Sequence, residues 1–377
     1  MKGATIVKPE EYESQLDAKA ARVRGLFAPF GAPDVEVHRS EPIHYRQRAE
    51  FRVWHEGGSC HYIMFGVPEG GAAPRRYRVD AFPVGSEALN VIMTKVMAEA
   101  AASEQLRRKL YQVNIHTALS GDAVVTLIYH RALGDEWAAE GRRLRGALRD
   151  APPPGGWQLH VLGRSRKQKV PLDADYVTEV LEVNGRQLAY KQVEGAFSQP
   201  NSGVVAQMLA WAQDVTRGSG DHDLLELYCG NGNFTVALAP CFRRVIATEV
   251  AKSSVEAARH NLAANGADNV FIARMAAHEF TETWKAKGTR NRLAGMAAWD
   301  ELDLRTLLVD PPRAGLDDEA RQLLGDFDNI VYISCNPETL ARDLGAVAAS
   351  HRLARLAVFD QFPYSEHVEC GAYLVRR

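Results

Sequence analysis

The segment VYISCNPETL (331–340) contains the residue with the most chemical potential, Cys335. The apolar run before it reads as a buried strand, and Asn336–Pro337 reads as the cap and first residue of a helix. A thiol at that junction lies near the positive end of a helix, which favours the thiolate. A core role as a small hydrophobe stays open on these residues alone. Glu369, in HVECG (367–371), is the second candidate. It suits either a base aimed into a site or an acid facing solvent, while Cys370 alternates to the other face and packs. Thiol and base together serve several covalent reactions, and one of them shows why a thiolate would be wanted. Carbon 5 of uracil is too weak a nucleophile to attack a sulfonium methyl directly. Addition of a soft nucleophile at carbon 6 makes carbon 5 electron-rich; after methyl transfer a base removes the carbon-5 proton and the thiolate leaves.

A methyl donor needs its own pocket. YCGNGNF (228–234) follows an apolar strand and opens a helix, where doubly wound sheets bind nucleotides, and Gly230 and Gly232 let backbone approach a ligand. The run lacks the GxGxxG fingerprint and the Lys-Ser/Thr ending of a phosphate loop. Glu249 ends the next strand, where an acid can accept both ribose hydroxyls. Loop plus acid fits an adenosine-type cofactor, S-adenosylmethionine or NAD. VDPPRAG (309–315) ends a later strand and points Asp310 into the same crevice. Nucleobase methyltransferases often carry an acid-Pro-Pro segment there, and this favours the methyl donor. A plain turn stiffened by prolines is the alternative. The twelve histidines show no ligand-like spacing with cysteines or acids, so no metal is expected.

The elements that must position these groups are of two kinds. From 203 onward, strands at 223–228, 243–249, 269–274, 306–310, 329–334 and 355–360 alternate with helical patterns, which specifies a mostly parallel sheet wound on both faces. The segment 367–375 follows too closely for a helical crossover and should pair antiparallel, at an edge or between strands. The stretch 285–303 reads as a surface insertion. The first half mixes a helix at 9–28, strands at 49–54, 61–67 and 75–80, a helix at 86–103, strands at 111–117 and 123–130, and a helix at 135–149. A Pro/Gly break at 151–156 and further strands, including 157–162 and 187–193, lead to FSQPN (197–201). The expected division is an α+β domain at 1–200 and an α/β catalytic domain at 201–377.

Composition excludes several classes. A chain of 377 residues, 46% hydrophobic and 24% charged, is that of an ordinary soluble protein of two domains. No apolar run approaches the roughly 20 residues of a membrane helix, and the start lacks the layout of a signal or transit peptide. Five scattered cysteines argue for a reducing compartment, so the cytoplasm is the expected location. The net charge of −2 divides into +3 for 1–200 and −5 for 201–377. Basic clusters at 46–52, 75–78, 107–109 and 164–169 could follow phosphates, or be solvated faces.

HYRQRAEFRVWH, FSQPN, LLELYCGNGNF, ATEVAKSSV, VDPPRAGL, YISCNPETL and FDQFPYSEHVECG together make the chain resemble, over its full length, the tRNA (uracil-5-)-methyltransferase family. The resemblance implies that Gln199, Tyr228, Asn233, Glu249 and Asp310 contact S-adenosylmethionine, that Cys335 is the nucleophile and that Glu369 is the proton acceptor. It implies a class I methyltransferase-like catalytic domain and an RNA-binding first domain. Relatives acting on ribosomal RNA hold an iron–sulfur cluster on four cysteines, and only Cys60 precedes residue 229 here. The implied substrate is therefore uridine 54 of the tRNA T-loop, with the T-loop of transfer-messenger RNA (tmRNA) as a second. No obligate protein partner is inferred. Tyr111 beside 107–109, and the segment 45–54, are candidate surfaces for splayed bases. Rival readings are a ribosomal RNA methyltransferase, an exocyclic-amine methyltransferase that needs no thiol, and an RNA-folding factor whose methylation is secondary.

Overall fold

The computed structural model describes residues 7–66, 75–150 and 158–377. The expected break at 151–156, Val67 of the expected strand 61–67 and Trp157 of 157–162 lie outside the described residues. The chain forms two units. The first holds the described residues of Met1–Tyr12, Glu41–Val180 and Lys191–Ser202; the second holds Glu13–Ser40, Leu181–Tyr190 and Gly203–Arg377. A single boundary at 200/201 is thus replaced by an interleaved path, for physical reasons. The helix Tyr12–Phe27 buries Leu16, Ala20, Val23 and Phe27 along one face. The strand Val35–His38, not foreseen from sequence, adds in parallel to His351–Phe359. The hairpin Tyr176–Val183/Arg186–Val193 turns at Asn184–Gly185, both with positive φ. Its tip sends Leu181, Val183, Leu188 and Tyr190 into the core of the second unit.

Among the described residues of the first unit, one sheet has seven strands in the order Arg75–Arg78, Ser59–Gly66, Arg48–Glu56, Leu110–Thr117, Asp122–Tyr129, Gln158–Ser165, Gln168–Pro171. All pair antiparallel except Asp122–Tyr129 with Gln158–Ser165. Alternation sets the two faces. Ala49, Phe51 and Val53 are buried in a core shared with Leu89, Ile92, Trp137 and Leu144 from the helices Glu87–Ala102 and Asp135–Arg149. Glu50, Arg52 and Trp54 point away from that core.

The second unit is built on eight strands, ordered Val35–His38, His351–Phe359, Glu369–Arg376, Asn329–Ser334, Leu304–Val309, Asp223–Leu227, Arg244–Thr248, Val270–Ala273. Every neighbouring pair is parallel except those made by Glu369–Arg376, which runs antiparallel between Asn329–Ser334 and His351–Phe359. Asp223–Leu227 is buried at every position, as expected of a central strand covered on both faces. Chain order reverses at this strand: its successors in sequence go to one side, and Leu304–Val309 to the other. That topological switch point opens a crevice at the strands' carboxyl ends.

Candidate active site

The loops that follow four of the strands meet this crevice. The first, after Asp223–Leu227, turns sharply: Tyr228, Gly230 and Gly232 all have positive φ, at 63°, 55° and 82°. A Cβ on Gly232 would lie 3.3 Å from Ala258 Cβ, so this glycine is needed for both its torsion and its room. The Cys229 N–H donates to Thr248 O at 3.0 Å, and the Asn261 amide donates to Asn231 O at 2.9 Å. Asn233 begins the helix Asn233–Leu238, and its buried side-chain oxygen has no hydrogen-bond partner.

Glu249, after Arg244–Thr248, ties the neighbouring loops. Its carboxylate accepts from the Gly230 N–H at 3.1 Å and from the Ala251 N–H at 2.7 Å, and each oxygen keeps a lone pair for a further donor. Beside it a cavity of about 120 Å³ is lined by Tyr228, Thr248, Glu249, Met275, His278 and Asp317. The buried Thr248 hydroxyl lacks a partner.

Asp310 follows Leu304–Val309, where Val309 pairs with Tyr332. Burial alone raises its carboxyl to about 7. Its loop is held rigidly. Asp343, fully buried, accepts from Leu316 N–H at 2.8 Å and from the Tyr332 hydroxyl at 2.7 Å, while the Asn336 amide donates to Arg313 O at 3.1 Å. Glu226, which sequence reasoning missed, is also buried. Burial, with the Asp310 charge adding, raises it to about 8. The signal was present as the one acid inside LLELY, a strand otherwise apolar.

Cys335 and Glu369 come together through strand register. Ser334 pairs with Cys370 across the antiparallel ladder, and Phe359 pairs with Glu369 on the far side. Extending the first ladder by one step puts Cys335 opposite Glu369, on the same face, with Cys370 on the other. Glu369 is 3% exposed and Cys335 is half-buried. Asn336 caps the helix Pro337–Leu344 by accepting from the Glu338 N–H. The helix end that favours the thiolate is opposed by the surroundings. Burial first, then the charges of Glu369 and Asp310, raise the thiol above its ordinary value, against smaller opposing pulls from a backbone hydrogen bond and from Arg313. Both acids thus act on the sulfur from the same end of the sheet.

Tyr228, Asn233, Glu249, Asp310, Cys335 and Glu369 therefore all stand at the carboxyl ends of one sheet. Gln199 belongs to the first unit, where its buried side-chain oxygen has no hydrogen-bond partner among the described residues. The donor set fits a cationic nucleoside: Glu249 offers lone pairs to two hydroxyls, and among the described residues no positive charge acts on half-buried Asp310 or buried Glu226 to hold them ionised.

In the first unit, the outer sheet face carries a second cavity of about 430 Å³, lined by Arg52, Trp54, Phe65, Lys109, Tyr111 and His130, among others. Tyr111 stacks on His130 with centroids 4.0 Å apart, and the Arg52 guanidinium lies 4.2 Å from the Tyr111 ring centre. Arg76 covers Trp54 at 3.6 Å. Tyr45, by contrast, is buried in the core.

A doubly wound, mostly parallel sheet with its last strand reversed and inserted, and with acids gathered at its switch point, is the framework of an α/β methyltransferase. Known proteins agree. Residues 11–377 match the family model described as tRNA (Uracil-5-)-methyltransferase, and the chain belongs to that family. It is 49% identical over 372 residues to the tRNA/tmRNA (uracil-C(5))-methyltransferase of Pectobacterium carotovorum, covering 99% of each chain. It is 50% identical over 375 residues to the protein of the same name from Chromohalobacter salexigens, covering 99% of this chain and 97% of the other. A crystal structure of Pyrococcus abyssi tRNA (uracil-54, C5)-methyltransferase in complex with S-adenosyl-L-homocysteine shares the fold. The TM-score is 0.66 at 20% identity, over 97% of this chain and 83% of the other.

Proposed function

We propose that this protein methylates carbon 5 of uridine 54 in the T-loop of tRNA, and the similar loop of tmRNA, using S-adenosylmethionine and a covalent bond from Cys335 to the base. The observation that carries the reading is the convergence of Cys335, Glu369 and Asp310 at one end of the sheet that also holds Glu249. Relatives about half identical over the whole chain are named for tRNA and tmRNA.

Bound S-adenosylmethionine would supply an electrophilic methyl group and a positive charge. Glu249 accepts the ribose hydroxyls, Tyr228 and Asn233 line the approach, and Asp310 compensates positive charge; Gln199 joins the set through family resemblance. The Cys335 sulfur, half-buried and losing its proton to solvent, bonds to carbon 6, and the electron pair of the 5,6 double bond moves towards carbon 5. After carbon 5 takes the methyl group, Glu369 accepts its proton. That electron pair re-forms the 5,6 double bond, the carbon–sulfur bond breaks, and the thiolate is restored. Because two acids oppose the thiolate, nucleophile formation is coupled to arrival of a cation.

The aromatic and cationic cavity of the first unit is proposed as an RNA surface. Tyr111 on His130, and Trp54 under Arg76, offer flat faces to unstacked bases. The RNA-folding reading predicts that Cys335→Ala still binds and refolds tRNA.

The test is tRNA containing 5-fluorouridine. With no removable proton on carbon 5, a complex resistant to denaturation should accumulate with S-adenosylmethionine, and should disappear in Cys335→Ala. An active protein that forms no such adduct would refute the covalent route.

A further inference from the structure

The second unit contains a buried ion pair for which the chemistry above has no use. Lys19, 6% exposed on the helix Tyr12–Phe27, donates to Asp360 Oδ1 at 2.6 Å; Asp360 is fully buried. The same ammonium donates to Phe362 O at 2.9 Å, and the Gln15 amide donates to Asp360 Oδ2 at 3.0 Å. One turn further along the helix, Arg22 donates to Glu366 O at 3.1 Å. The Asp360 N–H donates to His38 O at 3.0 Å. One helix thus grips the segment 360–366 at three points.

The place of this grip matters more than its number of bonds. Asp360 directly follows Phe359, the residue paired with Glu369. The loop between them closes the two strands, so its anchor fixes where the second strand begins, and its first residue is Glu369. Burying two charges generally costs stability relative to well-packed apolar side chains. A loop could be held by apolar packing; an ion pair with directional hydrogen bonds instead fixes its position and register. We infer that Lys19 and Asp360 are positioning residues for Glu369, setting the carboxylate against carbon 5 of the bound base. This rests on the proposed function above.

The inference makes the pair matter at one step. Forming the Cys335–carbon 6 bond and transferring the methyl group do not need Glu369. Moving the proton from carbon 5 to Glu369, with re-formation of the double bond and expulsion of the Cys335 thiolate, does. Small misplacement of a reacting group costs roughly ten- to a hundredfold in rate.

The experiment compares the intact protein with Lys19→Met, Asp360→Asn and the double variant, in which neither charge is left alone. Thermal unfolding checks that each is folded. Three quantities are then read: the rate of adduct formation with 5-fluorouridine tRNA, the release of tritium from carbon 5 of ordinary tRNA, and KM for tRNA. Expected are an unchanged 5-fluorouridine adduct rate, an unchanged KM, and tritium release slowed roughly ten- to a hundredfold. A methylated covalent complex should then build up on ordinary tRNA. Equal loss of adduct formation and tritium release, or loss of neither, overturns the inference. Absence of the 5-fluorouridine adduct in the unmodified protein would instead count against the covalent function itself.

Discussion

Replacing Asp310 by an asparagine should make the ligand-free protein more stable at pH 8 while removing its response to the methyl donor. The starting point is a half-buried carboxyl that desolvation displaces from its ordinary 3.8 to about 7. Its folded-state affinity for a proton exceeds that of the unfolded chain. Below pH 4 both states are protonated and nothing is lost. As pH rises from 4 to 7 the unfolded chain ionises first, so stability falls, and above 7 the loss is complete. That displacement sets a ceiling of about 4 kcal/mol at pH 8. Partial solvent access and relaxation reduce it to about 2 kcal/mol. The amide side chain cannot ionise, so the variant should recover this amount at pH 8 and clearly less at pH 5. For a unit of this size the pH 8 gain corresponds to a rise in Tm of roughly 4–8 °C. Thermal unfolding at pH 5 and 8, with and without S-adenosylmethionine, is the assay. The native protein should gain stability from the donor and the variant much less. An Asp310→Asn protein less stable than the native one at pH 8, or equally shifted at both pH values, would refute the argument.

Four further outcomes follow from the same geometry. Glu369→Gln should form the adduct but fail to resolve it, visible as a methylated protein–RNA complex on denaturing gels with ordinary tRNA. Glu249→Gln should raise KM for the donor about tenfold, the effect of weakening one charge-assisted hydrogen bond, and leave tRNA affinity unchanged in a binding titration. Because burial and two acids raise the Cys335 thiol, the single-turnover adduct rate at low donor concentration should climb with pH above neutrality; saturating donor should move that limb to lower pH. Tyr111→Ala should weaken tRNA binding by about 1–3 kcal/mol, as loss of a base-stacking platform does, while kcat at saturating tRNA persists.

Much of the catalytic sheet could be read from residue order, because each strand is a short apolar run ended by a loop with its own chemistry. The positions of Tyr228, Glu249 and Asp310 at strand ends followed from that rule. So did the antiparallel pairing of the final segment, since the few residues after 360 leave no room for a crossover helix. Its insertion between two parallel neighbours, which brings Glu369 to Cys335, did not follow, because an apolar strand fits an edge or an interior equally. Periodicity found the helix near residue 9 but could not say which sheet its apolar face would meet. The four-residue strand Val35–His38 was too short to announce itself. Glu226 escaped notice because loop residues attract attention as ligands, whereas an acid within a strand looks like an exception to burial. The raised thiol at Cys335 was beyond reach for another reason: local sequence displays the helix end that favours the thiolate, but only the fold brings in the two acids that oppose it.

The interleaving of the two units has an engineering consequence. A fragment starting at Gly203 would lack Val35–His38 and leave the hydrogen-bonding edge of His351–Phe359 bare, an invitation to self-association. It would also lack the lysine that compensates Asp360. Cassette exchange between members of this family therefore needs three transplanted pieces rather than one cut, and recombination with a single crossover near residue 200 should yield insoluble chimeras.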